Sequence, residues 1–242
     1  MKAYPLVYTP SGHVLISPDD DPGRIMDEIV ATGYDMESCL ALDFDPDFAA
    51  RLIAAGFLVL SVRAKEGGNT VVVLEPTHHL RRSVLFFDEF HESRSAKRLL
   101  SRYELKAGAA FDTIIEKCRI TYGDAWLTRE LIDLLLKVRK LKKPDARFFS
   151  FGVYREGRLR AGEFGTISGR VYTSYSGYHD ENSAGTVQMI LTAHWLRENG
   201  FAFWDLGMPL PYKETLGARV LNTEDFLRLW KKARDPLPLF LQ

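Results

Sequence analysis

The sequence predicts an α+β fold in two parts, and three observations carry that expectation. The chain has 242 residues, 46% hydrophobic and 12% aromatic, which is enough to fill one large core or two small ones. Residues 148–154, 159–167 and 171–175 are β-prone runs broken by Gly-containing turns at Arg155-Glu156-Gly157 and Ser168-Gly169. Runs of that length, joined that tightly, predict an antiparallel meander. A helical pattern over 183–199 follows, with Asn182 or Ser183 as N-cap and Gly200 at the end. It leads into the buried-looking strand Ala202-Phe203-Trp204-Asp205-Leu206.

Upstream, the elements are read in order. Ile25, Ile29 and Val30 share one face of a helix over 22–31. Asp45-Pro46 opens a second helix that runs to Ala55 and closes on Gly56. Residues 57–63 and 70–74 form a hairpin across Lys65-Glu66-Gly67-Gly68-Asn69, and a strand over 83–87 follows. A small N-terminal α+β domain over 1–105 and a second domain over 106–242 are therefore expected. In the second, Phe111, Ile114, Ile115 and Cys118 face inward from one helix. Thr128 caps another, with Leu131, Leu134, Leu135, Val138 and Leu141 buried. Its tail, Lys137 to Lys143, suits the negative end of the helix dipole. Near the C-terminus Leu216-Gly217-Ala218-Arg219 is a tight turn. Thr223 caps a helix to Ala233, ended by Asp235-Pro236-Leu237-Pro238.

Composition narrows the function classes. Cys39 and Cys118 make no metal-type spacing, and no apolar run reaches the roughly 20 residues of a membrane span. With no signal-peptide pattern at Met1-Lys2-Ala3-Tyr4-Pro5, a cytoplasmic protein is expected. Net charge is zero, yet residues 1–50 hold ten acids against Lys2 and Arg24. Residues 81–143 hold fifteen Lys and Arg against nine acids. Arg94, Lys97 and Arg98 fall at i, i+3, i+4, which is either a solvated face or a phosphate contact. His78-His79 is a poor metal pair, and His194 sits in an apolar stripe. His179-Asp180-Glu181 lies where acids favour a helix dipole, so no metal is expected. P-loop, Rossmann and GxSxG motifs are absent.

The β-β-β-α-β order resembles the core of the GNAT, or acyl-CoA N-acyltransferase-like, fold. That fold normally cradles a pyrophosphate on a Gly-rich loop before the central helix. This chain has Asp180-Glu181-Asn182-Ser183-Ala184-Gly185 there, and two acids would repel the phosphates. A different acyl donor is implied.

Several motifs, collinear from about residue 43 to 230, resemble those of the leucyl/phenylalanyl-tRNA–protein transferases. His91-Glu92-Ser93-Arg94-Ser95 resembles H-x-S-R-S, residues 111–118 resemble F-x-x-V-I-x-x-C, and Trp126-Leu127-Thr128 resembles T-W-I-T. Gly162-Glu163-Phe164-Gly165 is similar to G-G-x-Y-G, and Asn182-Ser183-Ala184 to N-A-S-K. Trp204-Asp205-Leu206 is similar to I-D-C, Leu216-Gly217-Ala218 to S-L-G-A, and Asp43-Phe44-Asp45-Pro46 to G-D-L-S-P. The resemblance implies a two-domain enzyme with a GNAT-like C-terminal domain. Such an enzyme moves an amino acid from aminoacyl-tRNA to the amine of a protein beginning with Arg or Lys, marking it for degradation.

It further implies Asp205 as the catalytic carboxylate, placed at the mouth of the site to hold or deprotonate the attacking amine. Glu163, Ser174, Tyr175, Tyr178 and Asn182 would bind substrate. Arg94, Lys97, Arg98 and Trp126 would meet the tRNA. No cofactor beyond the aminoacyl-tRNA co-substrate, no membrane and a monomer are expected. The chain departs from the family pattern where Glu163 replaces an apolar pocket residue, where G-E-S-M-F loses its glutamate, and where D-C-Q becomes Asp205-Leu206-Gly207. The tryptophan of W-W-S-P-D-P-R is also missing around Leu74-Glu75-Pro76. A catalytically silent relative that binds tRNA or N-terminal peptides stays open as an alternative, as does a GNAT enzyme with another acyl donor.

Overall fold

The computed structural model describes residues 3–142 and 146–235, with Glu66 described by its backbone only. Met1 and Lys2, Lys143 of the basic tail, and Pro236, Leu237 and Pro238 lie outside the described residues. The chain begins with β1 (Val7–Tyr8), β2 (Val14–Leu15), α1 (Pro22–Thr32), α2 (Pro46–Ala54), β3 (Leu58–Glu66) and β4 (Asn69–Thr77). Next come β5 (Arg81–Leu85), α3 (Arg94–Lys97), a 3₁₀ turn at Leu100–Arg102, β6 (Glu104–Ala107), α4 (Phe111–Tyr122) and α5 (Arg129–Arg139). The meander is β7 (Arg147–Arg155), β8 (Arg158–Ser168) and β9 (Val171–His179). It is followed by α6 (Ala184–Glu198), β10 (Phe203–Gly207), α7 (Pro211–Thr215), β11 (Arg219–Asn222) and α8 (Thr223–Ala233).

The chain divides into two compact units, but not at one point. One unit is the chain up to Leu80 with Gly123–Arg147 and Asn222–Arg228. The other is Arg81–Tyr122, Phe148–Leu221 and the residues from Leu229 on. The expected linear split at 105/106 is thus replaced by an interleaved one. The reason is pairing: β5 and β6, which precede residue 106 in most of their length, are strands of the large sheet rather than of an N-terminal module.

In the first unit local signals set the helices. The Asp45 carboxylate accepts from the Phe48 amide at 2.8 Å, and Thr128 Oγ1 accepts from the Leu131 amide at 3.3 Å. Proline opens both α1 and α2. β3 and β4 pair along their full length across Gly67-Gly68. Ser61 Oγ donates to the Trp126 carbonyl at 2.6 Å and lies 2.9 Å from Thr128 Oγ1, tying the start of α5 to this hairpin.

The second unit holds a seven-stranded sheet in the order β11-β5-β10-β9-β8-β7-β6. Its centre is the expected GNAT-like core. β8 and β9 are antiparallel, α6 crosses over, and β10 returns parallel to β9 with Asp205 opposite Thr173. α4 and α6 both pack on β8 and β9. Strand alternation sorts the contacts. Gly162 and Phe164 face α4, through Ile114 and Phe111. Ala161 packs with Ala184 and Val187 of α6. A β-carbon on Gly162 would meet Ile114 at 2.8 Å, so only glycine lets α4 approach this closely. α6 buries Val187, Ile190, Ala193 and Leu196, as its apolar pattern requires.

A bulge interrupts the β8–β9 pair. Phe164 pairs with Ser176 but Gly165 with Ser174, which leaves Tyr175 as the extra residue. A side chain at Gly165 would meet the Thr173 carbonyl at 2.1 Å. The bulge and the parallel β9–β10 pair meet where the site lies.

Candidate active site

A cavity of about 700 Å³ opens in the second unit, and its walls are segments far apart in sequence. The loop His91–Ser93 and Tyr122 at the end of α4 form part of the wall. Glu163 of β8 and the run Ser174–His179 of β9 form another. Gln188 and Met189 of α6, Leu206 of β10, and Tyr212, Lys213 and Leu216 complete it. Of the expected substrate-binding set, Glu163, Ser174, Tyr175 and Tyr178 converge here. Asn182 does not; it is exposed and off the cavity wall.

Glu163 is the deeply buried acid of the cavity wall, only 3% exposed. Its Oε2 accepts from Ser174 Oγ at 2.8 Å, and Ser174 Oγ accepts from Trp204 Nε1 at 2.8 Å. Trp204 is fully buried, so its indole N–H needs that hydroxyl. Burial pushes the Glu163 carboxyl up to about 8, against the opposing pull of Ser174, Gln188 and Thr192. Lys213 is the complementary case. Burial lowers its ammonium to about 8, although Asp205 pulls the other way. Its Nζ donates to the carbonyls of Leu206 and Met208, the latter at 2.7 Å.

Asp205 is not at the mouth of the cavity, and this corrects the sequence-based placement. It is 0% exposed and absent from the cavity wall. Arg82 holds it by two contacts, Nε to Oδ1 at 3.1 Å and Nη2 to Oδ2 at 2.8 Å. Thr173 Oγ1 donates to Oδ2 at 2.9 Å, and the Gly207 amide to Oδ1 at 3.0 Å. Both oxygens are occupied. A buried carboxylate needs such partners, and a guanidinium supplies them bidentately.

The cationic trio is exposed, but α3 is only one turn long. Lys97 lies 3.3 Å from Glu92. Glu92 also sits 2.8 Å from His194 Nε2, so His194 has a polar partner instead of packing alone. Burial opposes ionisation of Glu92, but His194 and Lys97 outweigh it and its carboxyl is lowered. Trp126 belongs to the first unit. At the start of α6, Glu181 accepts from Tyr103 at 2.7 Å and pairs with Arg155 and Arg160, while Asp180 lies 3.5 Å from Lys117. These acids are spoken for, and among the described residues no group of three or more ligands could hold a metal. Cys39 and Cys118 are buried thiols pushed up to about 12.

Sequence reasoning did not find Arg82, Gln188, Thr192 or Lys213. The signal for Arg82 was present: a buried Asp205 demands a cation, and Arg82 directly precedes the β-prone run Ser83-Val84-Leu85-Phe86-Phe87.

Comparison with known proteins places the chain. Residues 84–231 match the family model described as leucyl/phenylalanyl-tRNA protein transferase. A protein of that name from Shewanella woodyi is 30% identical over 159 residues, covering 64% of this chain and 66% of its own length. Its namesake from Maridesulfovibrio salexigens is 30% identical over 161 residues, covering 64% of this chain and 65% of its own length. One from Pseudomonas fluorescens is 31% identical over 152 residues, covering 60% and 65%. The chain thus spans just under two thirds of the length of these relatives, and within that span the cavity and the paired strands around it are built from the matched segment. The chain belongs to the leucyl/phenylalanyl-tRNA protein transferase family.

Proposed function

We propose that this protein transfers an amino acid from aminoacyl-tRNA to the N-terminal amine of an acceptor protein, one beginning with Arg or Lys, and so marks that protein for degradation. One observation carries the reading. Motif segments scattered over 126 residues of sequence, from His91 to Leu216, converge on one cavity. Its aromatic wall of Tyr122, Tyr175, Tyr178 and Tyr212 suits an aminoacyl side chain and a terminal base. Ser174, Tyr175 and Tyr178 take the aminoacyl end. Arg94, Lys97 and Arg98, exposed beside the cavity loop, take the acceptor-stem phosphates, with Trp126 assigned to the tRNA by resemblance alone. Asp205 is a positioning residue: locked to Arg82 and Thr173, it fixes the end of β10 and with it Leu206 on the cavity wall. The reaction uses no cofactor, and the protein works as a cytoplasmic monomer; among the described residues no helix is long and apolar enough to cross a membrane.

Occupancy of both Asp205 oxygens favours a second reading, binding without transfer. One experiment separates the two. The purified chain is incubated with charged tRNA and a labelled peptide beginning with Arg or Lys. Labelled, lengthened peptide is expected; binding of tRNA without product would leave the second reading.

A further inference from the structure

The cavity contains an acid, Glu163, for which no cation stands as a partner among the described residues. Glu163 Oε2 is held by Ser174, but its buried Oε1 lacks a hydrogen bond of normal geometry although the residue lines the cavity. The groups facing it are Cys118 of α4, Tyr172 of β9 and Tyr212 of α7, with the uncharged Gln188 and Thr192 of α6. The thiol is pushed up to about 12 and both phenols are raised, so all three are neutral at neutral pH. His91, Glu92, His179 and Lys213 line the same cavity, and Ser174, Gln188 and Thr192 each oppose the upward push that burial gives the Glu163 carboxyl. The opposing β9 residue is Gly177, which has no side chain to cover the carboxyl.

On the reading given above, we infer that Glu163 is the proton carrier of the transfer, taking a proton from the acceptor's α-ammonium and returning it to the ribose oxygen that leaves. The ammonium gives one proton to the carboxylate, and the freed lone pair forms the nitrogen–carbon bond at the ester carbonyl. As the bond from that carbon to the ribose oxygen breaks, its electron pair goes to the oxygen, which takes the proton from Glu163. The second nitrogen proton passes to the carboxylate and then to water. One ammonium and one ester become one amide, one hydroxyl and one released proton.

Two physical features suit the residue to this work. An α-ammonium titrates at about 7.7–8.0, so transfer to a carboxyl that titrates at about 8 is nearly level. Burial of Glu163 also disfavours an ion pair relative to a neutral amine beside a neutral acid. The reactive complex therefore carries one proton between amine and carboxyl, and below pH 8 it forms from the doubly protonated pair by loss of one proton to water.

The test is the pH dependence of single turnover, with charged tRNA and an Arg-starting peptide both saturating. Wild-type rate is expected to rise about tenfold per pH unit from pH 6 to about 7.5 and to level off near 8, because a carboxyl that titrates at about 8 must lose its proton before it can serve as base. Glu163→Gln, which keeps the shape and an acceptor for Ser174, is expected to be about 10²-fold or more slower than wild type at every pH from 6.5 to 8.5. A wild-type rate that is flat from pH 6 to 8 overturns the assignment without needing any variant, since a base that titrates at about 8 cannot act there without losing a proton first. So does a folded Glu163→Gln protein with the wild-type rate and profile. Absence of product from wild type with every charged tRNA is a separate result, which removes the transferase reading and this role together.

Discussion

Two carboxyls are buried in the same sheet, and their surroundings make them opposites. Asp205 on β10 faces Thr173 on one neighbouring strand, and on the other it pairs in register with Val84, so that Arg82, two residues along, lies on its face. A hydroxyl and a guanidinium close over it. Glu163 on β8 is in register with Gly177, and the nearest donor is a serine. Desolvation is similar in both places; what differs is the charge of the neighbours. With a cation in reach the acid is an anchor. Without one, burial raises its pKa and keeps it available for proton transfer.

The comparison can be broken from either end. The largest effect is expected at the anchor. Arg82→Met strands Asp205 as an uncompensated buried charge and should cost about 3–5 kcal/mol in a denaturant melt. Loss below about 1 kcal/mol would mean that Asp205 is not held as described.

The next effect is a pH dependence. The Glu163 carboxyl is raised in the folded protein to about 8 from an ordinary 4.5. Between those values the folded state keeps a proton that the unfolded state has lost. Its contribution to stability is therefore fully present below pH 4.5 and is lost as pH rises through 8, with a slope of up to about 1.4 kcal/mol per pH unit. Glu163→Gln should remove that fall, leaving a flatter stability profile from pH 5 to 8. An identical slope in both proteins would contradict the account.

Ser174→Ala is smaller. It takes a donor from Glu163 and orphans the buried Trp204 N–H, at a cost of about 1–3 kcal/mol. It should also move the Glu163 titration further upward, which a carboxyl NMR titration would read.

How much of this was legible follows from which interactions are local. The caps at Asp45 and Thr128, the glycine turns of the meander and the apolar stripe of α6 are set within a few residues, and each lies where its sequence pattern predicts. Partner choice between strands is not local. Nothing in the run Arg81 to Leu85 says that it pairs with β10, whose Trp204 lies opposite Leu85, and so a linear split near residue 105 cuts through one sheet. The same blindness misplaced Asp205. Its sequence neighbours, Trp204 and Leu206, both contribute to the cavity side of the structure or its wall, whereas the charge that fixes it arrives from β5. Glu163 is a pocket residue by resemblance, since it stands where the family has an apolar pocket residue, but that no described cation pairs with it is a tertiary fact.

The smallest expected effect is at the surface. Arg94→Ala or Arg98→Ala should change stability by no more than about 0.5 kcal/mol, since both are exposed. Each should lower the slope of log affinity for tRNA against log salt by roughly one unit. Unaltered slopes would move the tRNA contact elsewhere.

The contrast between the two acids is tested most directly by titrating the carboxyl carbons of ¹³C-labelled Glu in the free protein, with Glu163→Gln to assign the signal. One glutamate resonance, absent from the variant, should titrate with a midpoint near 8. If the resonance missing from the variant instead titrates near 4.5, Glu163 is an ordinary ionised acid, and the account of the cavity is wrong.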